Sequence, residues 1–142
     1  MIKQDTPLQN ATLQALTINE YKTLYPSLER VQIFFGEILY ELDEESSYLY
    51  FPTSSVVSLF ILLENGSSSE VAVVGNEGVL GFTHITDGKA TPYTAIVTKS
   101  GFAYRLEKHL LTQKLESVIC STRNRLYRFK QRAEAHKHSF AA

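Results

Sequence analysis

Apolar residues recur along this chain with more than one period. Between residues 8 and 29 the spacing is helical, with Leu8, Leu13 and Leu16 followed by Ile18, Tyr21, Leu24 and Tyr25, which predicts two short helices. Asn10 is placed to cap the first. Thr17-Ile-Asn-Glu20 matches a capping box for the second, and Pro26 ends it. Both helices are expected to pack on the outside of the strands that come after them.

From Arg30 the pattern changes to strands. Val31-Gln-Ile33-Phe-Phe35 and Ile38-Leu-Tyr-Glu-Leu42 flank a break at Gly36-Glu37, and Asp43 to Ser47 reads as a polar turn before Tyr48-Leu-Tyr-Phe51. Val56 to Leu63 is a continuous apolar run, Glu64-Asn65-Gly66 turns it, and Ser69 to Val74 returns, so this stretch predicts a buried hairpin. Gly75, Gly78 and Gly81 come next at three-residue spacing, a backbone able to turn tightly. Phe82 to Lys89 reads as a loop. Tyr93 to Thr98 and Phe102 to Leu106 are two more strands around Lys99-Ser-Gly101. Short strands with no helix between them indicate a β-sandwich or barrel.

From about Glu107 to His136 the period is helical again. Leu115, Ile119, Thr122, Leu126, Phe129 and Ala133 are spaced four, three, four, three and four, the interval of a coiled-coil seam. Such a stripe predicts pairing with a second copy; the alternative is that it lies back on its own domain.

At 142 residues the chain is long enough for one domain with a substantial core. No apolar run approaches the ~20 residues of a membrane span, and the N-terminus lacks the pattern of a secretory signal, so a cytoplasmic location away from the membrane is expected. The net charge of -1 conceals an asymmetry: beyond residue 120 six lysines and arginines face Glu134 alone, a net +5, against -6 before it. A basic helical tail is read first as a solvated or intramolecular face, with nucleic acid or an acidic partner as alternatives.

Candidate catalytic chemistry is thin. His84 is the one histidine expected in the β-region, too few for a catalytic metal, and His136 and His138 are tail residues. The single Cys120 reads as a small apolar residue beside the seam. Ser54, Ser55 and Ser67 to Ser69 read as turn serines, without the motif context of a nucleophile. No catalytic residue, metal site or cofactor is expected. The amides around Gly75 to Gly81 could form an anion nest, although a plain structural turn is the favoured reading.

The segments Gly36-Glu-Ile-Leu-Tyr-Glu41, Tyr50-Phe-Pro-Thr-Ser-Ser-Val-Val-Ser-Leu59, Glu64-Asn-Gly66, Glu70 to Gly81 and Ala103-Tyr-Arg-Leu106, taken together, resemble the effector domain of the Crp/Fnr regulators over roughly residues 10 to 135. The resemblance implies a mainly β fold, a double-stranded β-helix jelly roll of the cyclic-nucleotide-binding type. It would form one domain over 1–142, with N-terminal helices at 8–29, the roll at 30–106 and a dimerisation helix at 107–136. It also implies a non-enzymatic homodimer sensing a small signal.

Two departures from that family pattern matter. Aligned on Gly78-Val-Leu-Gly81 and Thr94-Ala95, Val79 stands where cyclic-nucleotide binders carry a ribose-binding glutamate, and Tyr93 where they carry a phosphate-binding arginine. A charge-assisted arginine–phosphate contact is worth about 1.5–3 kcal/mol, so its loss predicts no useful affinity for cyclic AMP or cyclic GMP. A pocket lined by Gly78, Val79, Leu80, Gly81, Phe82, Tyr93 and Thr94 would favour an apolar or weakly polar effector, or be filled by Tyr93. The family's winged helix-turn-helix has no counterpart before Ala142, so no sequence-specific DNA contact by this chain is expected. A structural dimerisation or adaptor role through the basic helix, and the effector half of a transcription regulator whose DNA-binding half is missing, are the other readings.

Overall fold

The computed structural model describes residues 5–41, 46–81, 84–86, 89–91, 93–119 and 121, with backbone alone at 84–86 and 89–91. A 3-10 turn at Pro7–Gln9 leads into α1 (Ala11–Gln14), and α2 (Ile18–Leu24) runs into a second 3-10 turn at Tyr25–Ser27. The caps are those expected. The Asn10 side chain accepts from the amides of Thr12 and Leu13, and Thr17 and Glu20 form a reciprocal capping box.

Among the described residues nine strands come after the helices: β1 (Glu29–Ile33), β2 (Ile38–Tyr40), β3 (Tyr48–Pro52), β4 (Val56–Leu62), β5 (Ser68–Val74), β6 (His84–Thr86), β7 (Lys89–Thr91), β8 (Thr94–Lys99) and β9 (Gly101–Glu107). They pair antiparallel as sheets β1-β9-β3 and β2-β8-β4-β5, with β6-β7 as a separate ribbon. The chain is mainly β, as expected.

Strand alternation divides the apolar side chains between two cores. On one side of sheet β1-β9-β3, Leu49, Phe51, Tyr104 and Leu106 pack with Leu13, Leu16 and Leu24 of the helical segment and with Leu115 and Ile119. On its other side Ile33, Tyr50 and Ala103 meet Val57, Leu59, Ala95 and Val97 of the second sheet. The roll is therefore a two-sheet sandwich with a helical layer over one sheet.

Three expectations change. Residues 82–89, read as a loop, contain β6 and the start of β7, paired as a short ribbon; without a clear apolar alternation the sequence does not mark them. The hairpin β4-β5 is not buried throughout. Val57 and Leu59 are core, but β5 is an edge strand with exposed Val71 and Val73, and Leu62 and Leu63 are exposed at the turn. A continuous apolar run fixes strand propensity but does not say whether both faces are covered. The exit helix does not begin at Glu107: β9 runs to that residue, a 3-10 turn occupies Lys108–Leu110, and the helix starts at 113 with the Thr112 hydroxyl accepting from the Leu115 amide at 3.2 Å.

Candidate ligand site

The glycine turn is built by its neighbours. Ala11 donates its amide to the Asn76 carbonyl at 2.7 Å, and the Thr12 hydroxyl donates to the Glu77 carbonyl at 3.2 Å. Within the turn the Gly75 amide donates to the Glu77 carboxylate at 3.1 Å and the Gly78 amide to the Gly75 carbonyl at 3.2 Å. The Leu80 amide donates to the Tyr50 carbonyl at 2.9 Å, and the Tyr50 amide returns the bond to Leu80 at 2.9 Å. The amides of Gly75, Gly78 and Leu80 are thus spent inside the protein, as in a structural turn.

Extended backbone through 79–80 sends consecutive side chains to opposite sides. Val79 packs into the helix-side core, whereas Leu80 enters the core between the sheets. Tyr93 packs against that same inter-sheet core, and Thr94 opens β8 opposite Phe60. Leu80 and Tyr93 thus share the inter-sheet core, whereas Val79, read from sequence as the ribose-glutamate position, packs on the helix side. Gly78 and Gly81 shape the backbone. Phe82 lies outside the described residues.

Sequence reasoning missed two participants. Tyr50 belongs to the inter-sheet core beside Leu80, joined to it by the isolated bridge between those residues. Arg105 sits opposite Tyr50 in the β3-β9 register and opposite Glu29 in the β1-β9 register, so all three share one row. Its Nε and Nη2 donate to the Glu29 carboxylate at 3.0 and 3.2 Å, and its guanidinium lies 4.4 Å from the Tyr48 ring centroid. Burial pushes the Tyr50 phenol above its ordinary pKa, only partly opposed by Arg105, so it stays a neutral hydroxyl at neutral pH. The cue was cross-strand register, which no local motif encodes.

Of the seam positions, Leu115 and Ile119 are buried within their own chain, against the helical layer and sheet β1-β9-β3. Thr122, Leu126, Phe129 and Ala133 lie outside the described residues. Among the described residues no group of three His, Cys, Asp or Glu is placed to hold a metal ion, and no helix is long and apolar enough to cross a membrane.

Residues 32–118 match the cyclic nucleotide-binding domain family. The chain belongs to that family. No curated protein matches the sequence. Among solved structures, the chain is similar to a cyclic nucleotide-binding domain from Methylobacillus flagellatus, with TM-score 0.70 and 13% identity, covering 96% of this chain and 83% of that one. It is similar to the Thermus thermophilus catabolite activator protein, with TM-score 0.63 and 15% identity over 96% of this chain; it spans 63% of that protein. It is also similar to the N-terminal domain of a Streptomyces coelicolor transcriptional regulator, with TM-score 0.59 and 23% identity, covering 92% and 95%. The fold is the family's jelly roll, and the Crp-type resemblance seen in the sequence agrees with these neighbours.

Proposed function

We propose that the chain is a non-enzymatic signal-sensing regulatory module of the Crp/Fnr effector type whose cyclic-nucleotide clamp is degenerate. The observation that carries this reading is the chemistry around Leu80. The side chains gathered there, Leu80, Tyr50 and Tyr93, bring no formal charge, and the guanidinium in the same row, Arg105, is already paired with Glu29. A cyclic phosphate bound against these side chains would lose hydration without a dedicated cation. That desolvation costs about 1–3 kcal/mol or more for a charged group, roughly tenfold or more in affinity. Such surroundings suit an uncharged, apolar or weakly polar effector held by aromatic faces and one or two hydroxyls. The module works as a homodimer through residues 122–133, where the seam spacing continues after Leu115 and Ile119 have been used inside the domain.

A thermal-shift titration with cyclic AMP, cyclic GMP, cyclic di-GMP, small acids and lipids tests this reading. An effector at about a hundred times its dissociation constant stabilises by about 2.7 kcal/mol, several degrees for a domain of this size. A shift with an uncharged compound and none with a cyclic mononucleotide is the expected result. A clear shift with cyclic AMP or cyclic GMP would overturn it.

A further inference from the structure

Two backbone hydrogen bonds close the turn between β4 and β5. The Leu63 amide donates to the Ser67 carbonyl at 2.7 Å and the Gly66 amide to the Leu63 carbonyl at 2.9 Å, leaving a three-residue loop of Glu64, Asn65 and Gly66. Gly66 has φ +87°, the left-handed conformation in which such loops end. Residues 62–68 are all exposed.

Within this loop the Asn65 side chain folds toward Ser67. Its carbonyl oxygen accepts from the Ser67 amide at 3.0 Å and from the Ser67 hydroxyl at 2.6 Å. Two donors on one amide oxygen draw electron density from Cγ and stabilise charge that develops on the oxygen, which makes Cγ a better electrophile. The adjacent nucleophile is the Gly66 backbone nitrogen. Gly66 carries no β-carbon, and the place a β-carbon would take has no neighbouring atom within 4 Å, so the backbone has room to turn toward Cγ.

The other asparagines lack this combination. Of the five in the chain, at positions 10, 19, 65, 76 and 124, Asn65 alone precedes a glycine. Asn10 is buried with its amide donating to Pro52 and Gly78, and Asn19 lies within α2. Among the described residues, a polarised side-chain amide, an unshielded backbone nitrogen and open solvent meet at Asn65.

We propose that Asn65 is a site of spontaneous, backbone-assisted deamidation in which Ser67 polarises the amide that is broken. Opening of the exposed Gly66–Leu63 bond frees the nucleophile, a local fluctuation of low cost. The Gly66 amide gives its proton to hydroxide or a buffer base, and its nitrogen bonds to Asn65 Cγ. The Cγ–Nδ2 bond then breaks, and the nitrogen leaves as ammonia with a proton from water. Water opens the resulting five-membered imide at either carbonyl, giving aspartate or its isoaspartyl isomer. Aspartate retains both Ser67 bonds, now charge-assisted, and adds one negative charge beside Glu64. Isoaspartate lengthens the main chain by a methylene inside a three-residue loop, next to the Leu62–Ser68 pairing. This chemistry is independent of the regulatory reading above.

Incubation of the whole folded chain at mildly alkaline pH, followed by peptide mass spectrometry, tests the proposal. Cleavage after glutamate releases Asn65–Glu70, in which exchange of the amide for a hydroxyl and labelling by an isoaspartyl methyltransferase are both read. Asn65 should convert while Asn10, Asn19 and Asn76 persist. Ser67→Ala deletes the hydroxyl donor and should slow conversion by about fivefold, the rate equivalent of one hydrogen bond. Ser67→Thr keeps a hydroxyl and should convert at close to the wild-type rate. Unchanged melting temperatures establish that both variants keep the fold. Persistence of Asn65 alongside the other asparagines would overturn the site. Faster conversion in Ser67→Ala would overturn the activating role, because the Ser67 bonds would then be holding the amide in an unreactive pose.

Discussion

The Asn10 side-chain amide donates to the Gly78 carbonyl at 2.8 Å, joining the cap of the first helix to the glycine turn 68 residues later. The same nitrogen donates to the Pro52 carbonyl at 2.8 Å, while the Asn10 carbonyl oxygen accepts from Thr12 and Leu13 at 3.0 and 3.2 Å. Asn10 is fully buried with all of its hydrogen-bonding capacity in use. One polar side chain thus ties the helical layer, the end of β3 and the turn bearing Val79 and Leu80.

Replacing Asn10 by alanine removes the cap and takes the donor from the Pro52 carbonyl, where the bond is buried, and from the Gly78 carbonyl, where it is partly buried. A lost cap costs about 1 kcal/mol and each buried unsatisfied group about 1–3 kcal/mol, so Asn10→Ala should lower unfolding free energy by about 3 kcal/mol or more. Urea denaturation reads this directly. A loss below about 1 kcal/mol would show that water replaces the side chain at low cost.

The glycines of the turn are not equivalent. Gly81 has φ +111°, and an added Cβ would fall 2.3 Å from the Tyr48 carbonyl oxygen, a backbone atom. At Gly75 the nearest atom to an added Cβ would be the Glu77 carboxylate at 3.1 Å, the end of a flexible side chain. Gly81→Ala should therefore destabilise by about 2 kcal/mol or more, and Gly75→Ala by less than about 1 kcal/mol. Comparable melting temperatures for the two variants would contradict this ordering.

The contrast between these glycines shows how far local sequence reaches. Their three-residue spacing announced a turn, but which one meets backbone depends on Tyr48, more than thirty residues earlier. Local signals read well: the Asn10 cap, the Thr17 capping box and the Glu64-Asn-Gly66 turn, where Gly66 has φ +87°. Questions of facing read poorly. Val79 and Leu80 are adjacent and similar, yet only Leu80 enters the inter-sheet core, and Arg105 meets Glu29 through strand register alone. Leu115 and Ile119 fit a heptad, but the same spacing serves an intramolecular core, which is where they lie.

Alkaline pH should separate the folded state from the chain's ordinary phenols. Burial raises the pKa of Tyr50, Tyr104 and Tyr21 above 10.0, and for Tyr104 the neighbouring Asp5 adds to the effect. A proton held more tightly in the folded state gives a contribution fully present below about pH 10 and lost as pH rises through the raised values. Melting temperature should be flat to about pH 9.5 and then fall, and Tyr104→Phe, which deletes a phenol donating to the Asp5 carbonyl at 3.0 Å, should shallow the fall. An unchanged slope would assign the alkaline loss to other groups.

The proposed function turns on whether the protein can hold a cyclic phosphate beside Leu80, Tyr50 and Tyr93. Isothermal titration calorimetry of the whole chain with cyclic AMP, at neutral pH and moderate salt, answers that question. No saturable heat is expected with ligand up to about 1 mM, equivalent to binding weaker than about -4.1 kcal/mol. A one-site isotherm with a dissociation constant near 1 μM, about -8.2 kcal/mol, would mean that Arg105 or a backbone group supplies the missing clamp and that the chain is a working cyclic-nucleotide sensor.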